Sequence, residues 1–174
     1  GIFASLKSQI TFAATSRKDD EKKAGLLEFL NDIASTSEKL SVSFTEKENT
    51  QLSFKLLKDG NETCITFRGI PNGHEFTSLL LAVLNTDGQG KNFPDEAIQR
   101  RIKSLKGKIV LKTYVSLTCT NCPDVVQALN LMSLINPNIR HEMVDGGIYQ
   151  QEISDLNIQG VPAVYCNNES LHIG

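Results

Sequence analysis

Two thiols three residues apart, Cys119 and Cys122, sit in the segment Thr118-Cys119-Thr120-Asn121-Cys122-Pro123. Side chains at i and i+3 share one face of a helix, close enough for the sulfurs to bridge, so the pair can cycle between dithiol and disulfide. Taken alone, a C-x-x-C is equally half of a zinc site. Zinc needs four ligands, and the sequence holds no second C-x-x-C and no H-x-x-x-H; His74, His141 and His172 are scattered. Such a module would have to assemble its remaining ligands through the fold.

The flanking residues favour redox chemistry. Ile109 to Val115 reads as a strand and Val125 to Met132 as a helix, which puts the thiols where a strand hands over to a helix. A thiolate is the attacking species, and the partial positive charge of a helix N-terminus stabilises it. Cys119, at the exposed end, is the expected nucleophile, and Cys122 the resolving thiol. Asp124 in the first turn works against the thiolate at Cys119, so a moderately activated thiol is expected. Pro123 is tolerated because the first helical amides have no intrahelical acceptor.

A second signal is Gly160-Val161-Pro162-Ala163-Val164, a proline opening a strand. A cis Val161-Pro162 bond there would turn Val161 toward the thiols and offer its backbone groups to an extended substrate segment. An ordinary trans proline closing a loop is the plainer alternative. Cys64 and Cys166 stand alone in strand-like runs and read as small buried hydrophobes.

The elements that position these residues read as a repeat. Ser8 to Thr15 alternates as a strand, Asp20 to Ala34 is an amphipathic helix with an acidic start, and Leu40 to Phe44 is a second strand. Leu52 to Leu57 and Glu62 to Phe67 form a hairpin through Asp59-Gly60. The second half repeats the order, with a strand at Ile139 to Val144 and a hairpin, Ala163 to Cys166 and Ser170 to Ile173, joined by Asn167-Asn168. Strand, helix, strand, hairpin is the thioredoxin order. The predicted fold class is α/β, two tandem thioredoxin-like folds over 1–105 and 106–174, only the second with redox cysteines. In the first, Thr15 to Asp20 stands in place of the thiols and Gln51-Leu52-Ser53 in place of Pro162. It reads as a degenerate copy that supplies packing and one catalytic group, or as a scaffold alone. The charged run Lys18 to Lys23 reads as a solvated helix start. Gly1 to Lys7 is short for a leading helix, and the second fold is expected to lack its closing helix, leaving a sheet face partly uncovered.

A formal charge of -2 on 174 residues gives no electrostatic footprint for nucleic acid or anionic membrane. No run is apolar and long enough for a signal-peptide core or a membrane span, so a cytoplasmic protein is expected. In a reducing compartment the C-x-x-C reads as catalytic.

The stretch Tyr114 to Met132, with Asn136-Pro137, Asp145-Gly146-Gly147, Gly160 to Val164 and Gly73-His74-Glu75-Phe76-Thr77-Ser78-Leu79, resembles the N-terminal domain of the F subunit of alkyl hydroperoxide reductase. The resemblance implies a peroxide-detoxifying relay. Electrons run from NADH through FAD, in a flavin- and nicotinamide-binding module of the same polypeptide, to Cys119 and Cys122, and on to a separate peroxiredoxin. This sequence has no G-x-G-x-x-G after a strand and so no dinucleotide site of its own. The strand before Cys119 offers no buried acid to move a proton; in the resemblance that part falls to Glu75, from the first half. The apolar Phe76, Leu79, Leu80, Ala82, Val83 and Leu84 that follow make burial of Glu75 plausible, a surface glutamate in a first helical turn being the alternative. Rival functions are a free-standing glutaredoxin-like oxidoreductase and a zinc-binding thioredoxin-like module.

Overall fold

The computed structural model describes residues 1–173; the Gly174 end of the expected second unit lies outside the described residues. The strands are β1 (Ile10–Ser16), β2 (Leu40–Glu46), β3 (Ser53–Lys58), β4 (Asn61–Arg68), β5 (Ile109–Val115), β6 (Ile139–Asp145), β7 (Ala163–Cys166) and β8 (Glu169–Ile173). The helices are α1 (Lys23–Ala34), α2 (Phe76–Thr86), α3 (Glu96–Lys103), α4 (Cys122–Ile135) and α5 (Gln150–Asp155), with a 3-10 turn, Gly73–Glu75, leading into α2.

All eight strands form one sheet in the order β2-β1-β3-β4-β6-β5-β7-β8. β1 is parallel to β2 and antiparallel to β3, and β3 is antiparallel to β4. β5 repeats the pattern, parallel to β6 and antiparallel to β7, with β7 antiparallel to β8. The two sets meet at a parallel seam that pairs Ile65 with His141 and Arg68 with Val144. Each hairpin closes through two left-handed residues, Asp59 and Gly60 (φ 49° and 83°) in one and Asn167 and Asn168 (φ 50° and 70°) in the other. That backbone matches the twist of the strands it joins, which is why Asp-Gly and Asn-Asn recur at equivalent points.

Alternation along the strands sends side chains to two faces. On one face Phe12, Phe54, Ile65, Phe67, Val115 and Met143 pack under Leu26 and Leu30 of α1, Leu79 and Val83 of α2, and Val126 of α4, in one cluster that spans both strand sets. Phe54 stacks on Phe67 at 5.1 Å and meets the edge of Phe12 at 6.0 Å. On the other face Tyr114, Val144, Ala163 and Tyr165 pack with Tyr149 and Ile153 beside α5. Nearby, Arg68 is buried in an ion pair with Glu152 and lies 3.4 Å from Glu142, while the Tyr114 hydroxyl donates to Glu152 at 2.9 Å.

Among the boundaries that differ from the sequence reading, the starts of β1 and α1 have local causes. Lys7 and Ser8 give their amides to the Asp87 carboxylate, so β1 begins only at Ile10. The Asp20 side chain accepts from the Lys22 amide in a turn that precedes the helix, and α1 starts at Lys23. α4 starts at Cys122, which leaves Cys119 in the loop before it. No helix among the described residues is long and apolar enough to cross a membrane.

Candidate active site

β5 ends at Val115 and α4 starts at Cys122, so the intervening loop carries Cys119 at the mouth of the helix. Cys119 is half-buried and Cys122 fully buried; both are thiols. The Cys122 backbone amide, one of the N-terminal amides without an intrahelical acceptor, donates to the Cys119 sulfur at 3.2 Å. Helix-end stabilisation of the sulfur therefore has a specific donor. Of the two cysteines only Cys119 has accessible surface. Asp124 is exposed in the first turn of α4.

Burial is the first cause that pushes the Cys122 thiol up to about 12, followed by its bond to the Cys119 sulfur and the charges of Cys119 and Glu75; a backbone bond at Ser116 opposes the rise. Cys122 thus holds its proton until something removes it. Val161 and Pro162 lie beside the thiols. The Val161-Pro162 bond is cis, and the Val161 carbonyl is 3.9 Å from the Cys119 sulfur.

The loop is gripped from the other half of the chain. The His74 amide donates to the Leu117 carbonyl at 3.0 Å, and Gly73 packs against the same carbonyl. Gly73 has a φ of +55°, and a Cβ there would fall 2.6 Å from the Leu117 oxygen, so glycine is required twice over. This contact carries the chain directly into Glu75.

Glu75 has no exposed surface. Its Oε1 accepts from the Ser78 hydroxyl at 2.6 Å, and Oε2 has no partner. Burial raises the pKa of the carboxyl, with the Ser78 bond acting the other way. The Cys119 sulfur thus lies by the Cys122 amide and the Val161 carbonyl, the charge of Glu75 reaches Cys122, and Glu75 is buried, as one of the two sequence expectations had it. Sequence reasoning missed Ser78 and Gln127, whose side-chain amide donates to the Ser78 hydroxyl at 3.2 Å. The i, i+3 spacing of Glu75 and Ser78 was the available signal.

Cys64 is buried, 3.8 Å from the Pro137 carbonyl, and Cys166 is half-buried on β7. Among the described residues no three His, Cys, Asp or Glu side chains converge as metal ligands.

No model of a known protein family matches the chain. It is 43% identical over 169 residues to a protein named NADH dehydrogenase from Bacillus subtilis (strain 168), covering 97% of this chain and 33% of that protein. It is 45% identical over 169 residues to the F subunit of alkyl hydroperoxide reductase from Staphylococcus aureus (strain Mu50 / ATCC 700699), covering 97% of this chain and 32% of that protein. The chain thus spans about a third of the length of the curated relatives it matches. Among solved structures, the NTD_N/C domain of alkylhydroperoxide reductase AhpF from Enterococcus faecalis (V583) superposes with a TM-score of 0.92 at 35% identity, covering 100% of this chain and 89% of that one.

Proposed function

The chain belongs to the family formed by the N-terminal domains of the alkyl hydroperoxide reductase flavoprotein AhpF, and from that premise we propose that Cys119 and Cys122 relay electrons within a peroxide-reducing system. The upstream donor is the FAD- and NADH-binding module of the parent polypeptide, and the downstream acceptor is the disulfide of a peroxiredoxin. The proposed division into units is 1–105 and 106–174. The repeat of strand pairing on either side of the β4–β6 seam supports two units, while α3, ahead of the 105/106 boundary, packs its Ile102 with Leu111 and Ile139 and so sides with the second.

In the delivery step the Cys119 thiolate attacks the acceptor disulfide. A Cys119–acceptor S–S bond forms, the acceptor's own S–S bond breaks, and one acceptor sulfur leaves as a thiolate. Cys122 then gives its proton to the Glu75 carboxylate and attacks the Cys119 sulfur. The Cys119–Cys122 bond forms, the mixed disulfide breaks, and the second acceptor thiolate leaves. Two electrons pass from the dithiol to the acceptor. A dithiol of the flavin module reverses these bond changes to reset the pair, and Glu75 returns its proton to the Cys122 thiolate. The Val161 carbonyl, beside the attacking sulfur, holds the acceptor segment by backbone pairing.

The observation that carries this reading is the Cys122 amide donating to the half-exposed Cys119 sulfur while Cys122 itself is buried and protonated. It is tested by mixing reduced chain with a disulfide-form peroxiredoxin. Cys122→Ser is expected to accumulate a mixed disulfide on Cys119, and Cys119→Ser none. An adduct on Cys122, or no transfer from the unsubstituted chain, overturns it.

A further inference from the structure

A carboxyl group that shuttles a proton has two oxygens, and the surroundings of Glu75 treat them differently. Oε1 accepts from Ser78 at 2.6 Å, and Ser78 in turn accepts from the Gln127 side-chain amide at 3.2 Å; Oε2 has no partner. Ser78 is fully buried, and Gln127 reaches it from α4, about one and a half turns along from Cys122. A serine hydroxyl has one hydrogen. With Gln127 donating into its oxygen, that hydrogen points at Glu75 Oε1, which stays an acceptor whether or not the carboxyl is protonated.

We propose that Ser78 and Gln127 are positioning residues that dedicate Oε1 of Glu75 to accepting, so that the carboxyl takes and releases its proton only through Oε2. The inference rests on Glu75 acting as the proton carrier described above. It adds the reason a buried acid can serve in both directions. The Ser78 bond favours the carboxylate and opposes the burial that favours the acid, which keeps the group able to change state. The chain Gln127–Ser78–Glu75 also ties α4, which carries Cys122, to α2, so the carrier and the thiol it serves move together.

The titratable groups around Glu75 are Cys122 at the start of α4, which in turn touches Cys119, and His74, its exposed neighbour on the 3-10 turn. Among the described residues no ion pair includes Glu75, and burial and the Ser78 bond are what displace its titration.

The test is stopped-flow reaction of the reduced chain with 5,5′-dithiobis(2-nitrobenzoate) over a pH series. Cys119 releases the first thionitrobenzoate in a bimolecular step. Cys122 releases the second in a step independent of probe concentration, whose rate follows removal of the Cys122 proton. In Ser78→Ala the carboxylate loses its donor, so the profile of the second step is expected to move to higher pH, with a rate loss of roughly tenfold on the acid limb, the worth of one hydrogen bond to a charged group. Ser78→Thr, which keeps the hydroxyl, should restore the profile. Gln127→Leu, at a half-buried position, should move it the same way by a smaller amount, and it decides the matter if Ser78→Ala does not fold. In a Glu75→Gln background, Ser78→Ala should change nothing further. If Glu75→Gln alters the profile and neither Ser78→Ala nor Gln127→Leu does, the positioning role is refuted and Glu75 keeps its part. If Glu75→Gln leaves the profile unchanged, the carrier reading itself falls, and this inference with it.

Discussion

Replacing Gly73 by alanine probes the contact through which one half of the chain shapes the other half's active site. The new methyl meets two costs. Gly73 sits at φ +55°, where an L side chain costs about 1–2 kcal/mol. Its Cβ would also lie 2.6 Å from the Leu117 carbonyl oxygen, and because that atom is backbone the overlap can be relieved only by moving the loop, at about 1–3 kcal/mol. The sum is about 2–5 kcal/mol, and for a chain of this length each kcal/mol lowers Tm by about 2–4 °C, giving roughly 4–20 °C. Gly60→Ala is the control: φ is +83°, but nothing lies within 4 Å of the added carbon, so it meets only the backbone cost. Thermal unfolding of both variants isolates the contact. Thiol exchange at Cys119 should slow in Gly73→Ala, since the loop from Leu117 to Cys119 must shift, and stay unchanged in Gly60→Ala. Equal destabilisation of the two variants with unaltered exchange in both would refute the reasoning.

Two further outcomes follow from buried polar groups. His141 is completely buried, bonded to Thr113 Oγ1 at 2.8 Å and Asn130 Oδ1 at 2.7 Å, and burial pushes its pKa down to about 3. The unfolded chain takes up that proton near pH 6.5, so this contribution to stability is complete above about 6.5 and is lost progressively as the pH falls toward 3; in His141→Gln, urea denaturation should show a flatter acid limb. Arg68→Ala leaves Glu142 and Glu152 facing each other without their cation and should cost about 3–5 kcal/mol in urea denaturation, whereas Arg68→Met combined with Glu142→Gln and Glu152→Gln should recover most of it.

What the sequence disclosed depended on how local each signal was. Cys119, Cys122 and Pro162 stood out because their chemistry lies in spacing and in the order of strand, thiols and helix. Both hairpin turns were legible because Asp59-Gly60 and Asn167-Asn168 are short-range backbone instructions. α3 and α5 were not. α5 buries nothing and has no apolar stripe, and α3 is only eight residues long and buries only Ile102, although Ile98, Ile102 and Leu105 do recur at helical spacing. α3 also carried an N-terminal signal, an Asp95 whose side chain accepts from the Ile98 amide at 2.9 Å. The surroundings of Glu75 were the least legible. Burial of that carboxyl depends on Gly73 and His74 meeting Leu117 and on Gln127 reaching Ser78, contacts between residues more than 40 positions apart. Fusion of the eight strands into one sheet was likewise invisible, since the parallel pairing of Ile65–Arg68 with His141–Val144 leaves no mark in either strand alone.

That fusion bears on how the chain comes apart. The ladder between β4 and β6 and the apolar cluster shared by α1, α2 and α4 belong to both halves at once, so neither half can melt and leave the other's interior intact. A sheet and core joined this way should absorb heat in a single calorimetric peak, and the amide hydrogens along the central strands should exchange only when the whole molecule opens. The buried Glu75 carboxyl and the buried Cys122 thiol, contributed from opposite sides of the join, are therefore lost and regained together.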